Sequence, residues 1–166
     1  FPTRRSSDLE PINYKKYGLG PLMSFIMMGP LMSYASFFIF SKSFSLQPII
    51  CSFTLGLFIP AILLANELRD YSDDKARGVL TLTVRIGYEK GKLLYYSLIA
   101  LAYINIIILV TIQYLPEMSI IALSTIPLIN EIIRCVKVNK RRLVPLTAKI
   151  YLFFSILLFL VLILTK

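Results

Sequence analysis

The sequence contains no histidine. That removes a Ser-His-Asp arrangement, a His-ligated metal or haem, and a histidine general base from the chemistry this chain can perform alone. Cysteine is scarce: Cys51 and Cys135 lie far apart, beside or within apolar runs. Without CxxC spacing, neither a zinc site nor a disulfide framework is indicated, and both read as small packing residues. Charge is sparse too, at 16% of residues, against about a quarter in soluble domains. What remains for chemistry is carboxylates, basic groups and an oxygen-liganded ion.

What is abundant is apolar surface. Hydrophobic residues make up 57% of the chain and the mean hydropathy is +0.73, values that belong to a membrane protein. The formal net charge of +9 raises nucleic acid as a partner. The basic residues, however, form no patch or stripe; they sit in short clusters between long apolar runs, so no nucleic-acid partner is expected. Five apolar segments are readable, at about 21–40, 46–66, 93–115, 117–133 and 144–165. About 20 apolar residues cross a bilayer core, so the expected fold is an all-α, polytopic transmembrane bundle of five spans. The fourth segment is the shortest and could be tilted or partly inserted. Pro30, Pro60 and Pro127 fall inside segments, where a kink near each is expected. The run 150–164 reads as a lipid-facing final span.

Charge orients the array. Arg69, Lys75, Arg77, Arg85, Lys90 and Lys92 follow the second segment, and Arg134, Lys137, Lys140, Arg141, Arg142 and Lys149 follow the fourth. Lys15 and Lys16 precede the first, while the other side has only Lys42 and Lys166. Alternating five spans brings the three basic regions to one face, which the positive-inside rule makes cytoplasmic. An integral protein of the cell membrane is expected, with residues 66–87 on the cytoplasmic side.

That connection carries four of the nine acidic residues and begins while the second span is still helical. On a continuing helix Asn66, Asp70 and Asp74 stand at i, i+4 and i+8 and form one polar ridge, with Glu67 and Asp73 toward its edges. Two carboxylates one turn apart repel unless a cation sits between them. Magnesium suits the arrangement, since it accepts one or two carboxylates and completes its shell with water and substrate phosphate. Arg69, Lys75, Arg77 and Arg85 surround the carboxylates with groups able to bind phosphate. Gly78 and Gly87 allow turns where helices end. Spacing alone leaves open a plainer reading, a solvated loop with surface ion pairs.

The string from Asn66 to Gly87 resembles the second aspartate-rich motif of the UbiA superfamily of membrane aromatic prenyltransferases. Its N-x-x-R-D-x-x-x-D-x-x-x-G-x-x-T-L-x-V-R-x-G form is most similar to that of 1,4-dihydroxy-2-naphthoate polyprenyltransferases. Asn66, Arg69, Asp70, Asp74, Gly78, Thr81, Leu82, Val84, Arg85 and Gly87 fill it. Residues 14–30 also resemble that family's entry into its fifth helix. Relatives often carry an acidic residue where Pro21 stands, and no role is assigned there.

The resemblance covers residues 10–166 and implies the last five of about nine helices. The family's first aspartate motif is absent from the sequence and is expected upstream. Residues 1–9 (FPTRRSSDL) do not fit the rest of the chain; they resemble a translated sequencing-adapter end, and the protein's own sequence is expected to begin upstream of Glu10. By the resemblance, Asp70 and Asp74 are catalytic ligands of Mg2+. Asn66, Arg69, Lys75 and Arg85 would bind the diphosphate. The implied reaction transfers a polyprenyl group from polyprenyl diphosphate to an aromatic acceptor, 1,4-dihydroxy-2-naphthoate in menaquinone biosynthesis, and this piece alone would be inactive. Alternatives are another acceptor (homogentisate, 4-hydroxybenzoate or a glycerol lipid) or a transporter bundle, whose acidic residues would lie near mid-membrane.

Overall fold

The computed structural model describes residues 17–138 and 140–165; the readings that concern residues 1–16 and Lys166 lie outside them. Among the described residues all regular structure is helical. Helix α1 (Gly20–Ile26), a π-turn (Met27–Leu31) and α2 (Met32–Ser41) make the first long stretch. Helices α3 (Gln47–Gly56) and α4 (Phe58–Ala76) make the second. The short α5 (Leu82–Ile86) leads into α6 (Tyr88–Thr111). A 3-10 run (Glu117–Thr125) precedes α7 (Pro127–Val138), and α8 (Leu143–Leu164) closes the chain. Five helical stretches are long and apolar enough to cross a membrane: Gly20–Ser41, Gln47–Ala76, Tyr88–Thr111, Glu117–Val136 and Lys140–Leu164. The all-α polytopic class expected from the sequence is the one observed.

The three prolines are accommodated in three ways. Pro30 lies inside the π-turn, whose wider coil relieves the missing N–H and the ring clash. Pro60 deprives the Gly56 carbonyl of its partner, and the helix breaks there, with α3 ending at Gly56 and α4 restarting at Phe58. Pro127 departs from the expected kink: it is the first residue of α7, where a missing N–H costs nothing. The fourth stretch is thus a 3-10 run followed by a separate α-helix.

Helix α4 is central and packs on α1, α6 and α8. Its buried residues Phe58, Ala61, Leu64, Ala65 and Leu68 recur at helical spacing, and the two alanines permit close approach. Against them lie Tyr95, Ile99, Ala102, Tyr103 and Ile106 of α6 and Ile150 and Phe154 of α8. Phe154 anchors the contact, with ring centroids 5.1 Å from Phe58 and 5.4 Å from Tyr103, the latter edge-on. Two buried tyrosines find hydroxyl partners, as an interior without water favours: Tyr95 Oη lies 2.7 Å from Thr147 Oγ1, and Tyr103 Oη 2.7 Å from Thr125 Oγ1, whereas among the described residues the buried Ser119 Oγ has no hydrogen-bond partner. The first two stretches cross where Gly29 meets Gly56. A Cβ on Gly56 would stand 3.2 Å from the Gly29 Cα, so glycine sets that separation. The final span is not wholly lipid-facing. Ile150, Phe154, Leu158 and Val161 are buried, one face of α8, while Leu152, Phe153, Ile156, Phe159 and Ile163 are exposed.

Two of the basic connections meet directly. Lys140 Nζ sits 4.1 Å from the centroid of the Tyr88 ring, so the basic connections after α4 and after α7 share one end of the bundle.

Candidate functional site

The second stretch has 30 residues, a length of roughly 45 Å as helix, against about 30 Å of hydrocarbon core. Its apolar portion ends near Asn66, so the last ten residues of α4 stand beyond it as a polar mast. Asn66, Asp70 and Asp74 occur together, as their spacing predicts, along one cleft of about 350 Å³. Glu67, Leu63, Gly18 and Gly20 also line it, and the returning residues Val79, Leu80, Thr81 and Leu82 complete it.

The return follows from the end of α4. Gly78 takes φ +69°, Val79 N–H donates to the Asp74 carbonyl at 2.9 Å, and Gly78 N–H donates to the Lys75 carbonyl at 3.3 Å. These paired bonds form a Schellman cap, and its left-handed position is where glycine is favoured. The chain turns back across the carboxylates and enters α5. A second turn at Gly87, φ +90°, starts α6.

Glu67 holds the returning segment in place. Its side chain is buried, and Oε2 accepts the Thr83 N–H at 2.9 Å, sixteen residues along. Thr83 lies in the first turn of α5, whose amides have no intrahelical acceptor, so a carboxylate from α4 satisfies one of them. Gly91 makes room on the far side, because a Cβ there would stand 2.8 Å from Thr83 Cγ2. Helices α4, α5 and α6 therefore lock through Glu67, Thr83 and Gly91. Sequence reading placed Glu67 only at the ridge edge; no local pattern marks a partner so distant.

The cationic residues divide. Arg69 grips Asp70 with both arms, Nε to Oδ1 at 2.7 Å and Nη2 to Oδ2 at 2.6 Å, with both side chains about one-third exposed. Arg85 is exposed on α5 and its Nε donates to the Leu80 carbonyl at 3.4 Å. Lys75 is exposed, and neither it nor Arg85 lines the cleft. Arg77, at the end of α4, acts electrostatically on both Asp70 and Asp74. Asp73 is exposed and does not line the cleft.

Among the described residues no group of three or more His, Cys, Asp or Glu converges for a metal ion. The donor set present is two carboxylates one turn apart with an amide beside them. That set fits magnesium, which needs only one or two protein carboxylates when phosphate supplies the rest, and does not suit a metal that needs a full protein cage.

Beside the cleft the character of the face changes. A groove of about 330 Å³ lies among Ile59, Ile62, Leu63 and Asn66 of α4, Ser24 and Met28 of the first stretch, and Val144. It shares Leu63 and Asn66 with the cleft. One face of α4 therefore passes from carboxylates through an amide to aliphatic side chains.

The fold and site define an all-α integral membrane protein with an acidic cleft at one end of its central helix. The sequence matches the UbiA prenyltransferase family over residues 11–158, and the chain belongs to that family. It is 35% identical over 100 residues to "1,4-dihydroxy-2-naphthoate octaprenyltransferase" of Bacillus subtilis (strain 168), covering 60% of this chain and 32% of the relative. It is 34% identical over 100 residues to "UbiA prenyltransferase domain-containing protein 1" of Homo sapiens, covering 60% of this chain and 30% of the relative. The Xenopus tropicalis protein of the same name is 32% identical over 117 residues, 70% of this chain and 33% of the relative. The matched regions span about a third of the length of these curated relatives. No solved structure gives a significant match.

Proposed function

We propose that the Asp70–Asp74 cleft is one half of a prenyl-transfer site that takes a polyprenyl diphosphate by its head, and that a second acidic motif outside this chain supplies the other half. The observation that supports this reading is the single α4 face, carboxylate at its end and aliphatic below, which matches an amphiphile with an anionic head and an isoprenoid tail. The groove beside Leu63 and Ile59 takes the tail, and Asn66 sits at the junction. Arg69 neutralises charge on the diphosphate oxygens as the allylic C–O bond breaks and its electron pair leaves with the diphosphate, and Lys75 and Arg85, which stand outside the cleft, join it by swinging their exposed side chains over the bound head. Arg69 must release Asp70 to do so, which makes the bidentate pair a resting arrangement. Asp70 and Asp74 would hold magnesium, which supplies further neutralisation of the leaving group when bound. An electron-rich aromatic ring then attacks the allylic carbon.

The acceptor in this reading is 1,4-dihydroxy-2-naphthoate, as the name of the Bacillus subtilis relative suggests, with loss of its carboxylate and a place in menaquinone biosynthesis. The protein acts in the cell membrane with the cleft facing the cytoplasm. A transporter pathway is disfavoured because the carboxylates stand at the end of α4 and not at mid-membrane. The test is a membrane preparation of the full-length protein given polyprenyl diphosphate, magnesium and a panel of acceptors. Prenylated, decarboxylated naphthoate is expected. Product from homogentisate or 4-hydroxybenzoate alone would overturn the acceptor, and no product from any acceptor would overturn the function.

A further inference from the structure

We infer that a second groove, between α6 and α7 at the basic end of the bundle, binds one anionic phospholipid, with an acyl chain inside and the phosphate at Lys92 and Lys140. The groove measures about 490 Å³, and its lining residues are all different from those of the acidic cleft. From α6 it is lined by Tyr88, Lys92, Tyr96, Ile99 and Ala100, positions that recur on one helical face. Ile129, Ile133 and Val136 of α7, at i, i+4 and i+7, form the opposite wall. Polar groups thus stand at the mouth and aliphatic groups below. From Tyr88 to Ala100 the helix rises roughly 18 Å, close to the depth of one leaflet of a bilayer with a core of about 30 Å.

Charge at the mouth selects the occupant. Lys140 Nζ lies 4.1 Å from the Tyr88 ring centroid and Lys92 Nζ lies 5.9 Å from it, so one ring holds two ammonium groups beside the opening. Glu89 pairs with Lys92, leaving one net positive charge among the three, and Arg141 and Arg142 come directly after Lys140 in the chain. An anionic headgroup complements this mouth, and basic residues at a membrane surface are the groups that draw anionic lipid. Ile133 on the wall and Leu101 and Ile104 beyond it on α6 are exposed apolar residues, so the groove opens sideways toward lipid and not toward water. Nothing in this assignment depends on the chemistry of the acidic cleft.

The test is native mass spectrometry of the full-length protein released from bilayers of equimolar phosphatidylglycerol and phosphatidylcholine. One retained phosphatidylglycerol per chain is expected, in preference to phosphatidylcholine. Lys92→Gln and Lys140→Gln should each reduce that preference about fivefold, the weight of one basic residue near an anionic surface. Ile133→Trp, which fills the groove, should remove the lipid while helicity by circular dichroism is unchanged. Equal retention of the two lipids, no retained lipid, or a preference untouched by both lysine variants would overturn the assignment. A chain dimer that Ile133→Trp abolishes would overturn it also, by giving the groove to a second copy. The lysine variants are substitutions at the mouth, so they decide the matter even if the tryptophan variant fails to fold.

Discussion

Replacing Glu67 with alanine removes the side chain that ties Thr83 of the returning segment to α4 through a hydrogen bond. The bond joins a buried carboxylate to the Thr83 N–H at 2.9 Å, and hydrogen bonds to charged groups contribute about 1.5–3 kcal/mol. With about 1.4 kcal/mol per tenfold change, the local opening equilibrium at Thr83 shifts by roughly 10- to 100-fold. Hydrogen exchange on the chain in detergent micelles reads this directly, as faster exchange of the Thr83 amide. Glu67→Gln keeps an acceptor oxygen in place and sheds a buried charge, so its effect stays well below that of alanine. Amides deep in α6, such as that of Ile106, serve as the control and should not change. Equal protection of Thr83 in wild type and Glu67→Ala would refute the clamp, and equal loss in the alanine and glutamine variants would show that the charge, and not the acceptor, matters.

Gly56→Leu forces a side chain toward the Gly29 Cα, which a Cβ would already approach to 3.2 Å. Overpacking of this kind costs about 1–3 kcal/mol, and a lowered thermal midpoint in micelles would check it. Phe154→Ala leaves a hole beside Phe58 and Tyr103 and should lower stability by about 3–5 kcal/mol, measured by denaturant unfolding. Tyr103→Phe strips one partner from the Thr125 hydroxyl, which also donates to the Ala122 carbonyl at 2.7 Å. The loss should be near 1 kcal/mol, smaller than that of Phe154→Ala in the same assay. Prenyl transfer by the full-length protein should stop with a chelator and return with magnesium, while the 166-residue chain transfers nothing; turnover by that chain alone contradicts a site made of two halves.

Features that depend on local order along the chain were legible. The five spans follow from runs of apolar residues, and the Asn66–Asp70–Asp74 face follows from four-residue spacing on a helix that stays intact to Ala76. The Schellman turn follows from glycine at position 78. Features set by contact between distant segments were not. Each proline announces a missing N–H, yet whether the chain answers with a π-turn, a break or a new helix depends on the neighbouring stretch. Glycine at 29 and 56 gives no hint that the two meet. The burial of Ile150, Phe154, Leu158 and Val161 depends on neighbours, because most residues around them are equally apolar. Glu67 looked like one more acid in an acidic segment; only the fold gives it Thr83.

The most direct test of the central proposal is prenyl-transfer turnover by the full-length protein carrying Asp70→Ala or Asp74→Ala, each compared with wild type at equal membrane abundance. Each change should lower turnover at least about a hundredfold, the scale on which removing one group that stabilises developing charge is felt, while Asp73→Ala on the exposed side of the same helix leaves it near wild type. Unchanged turnover in both cleft variants would contradict the account.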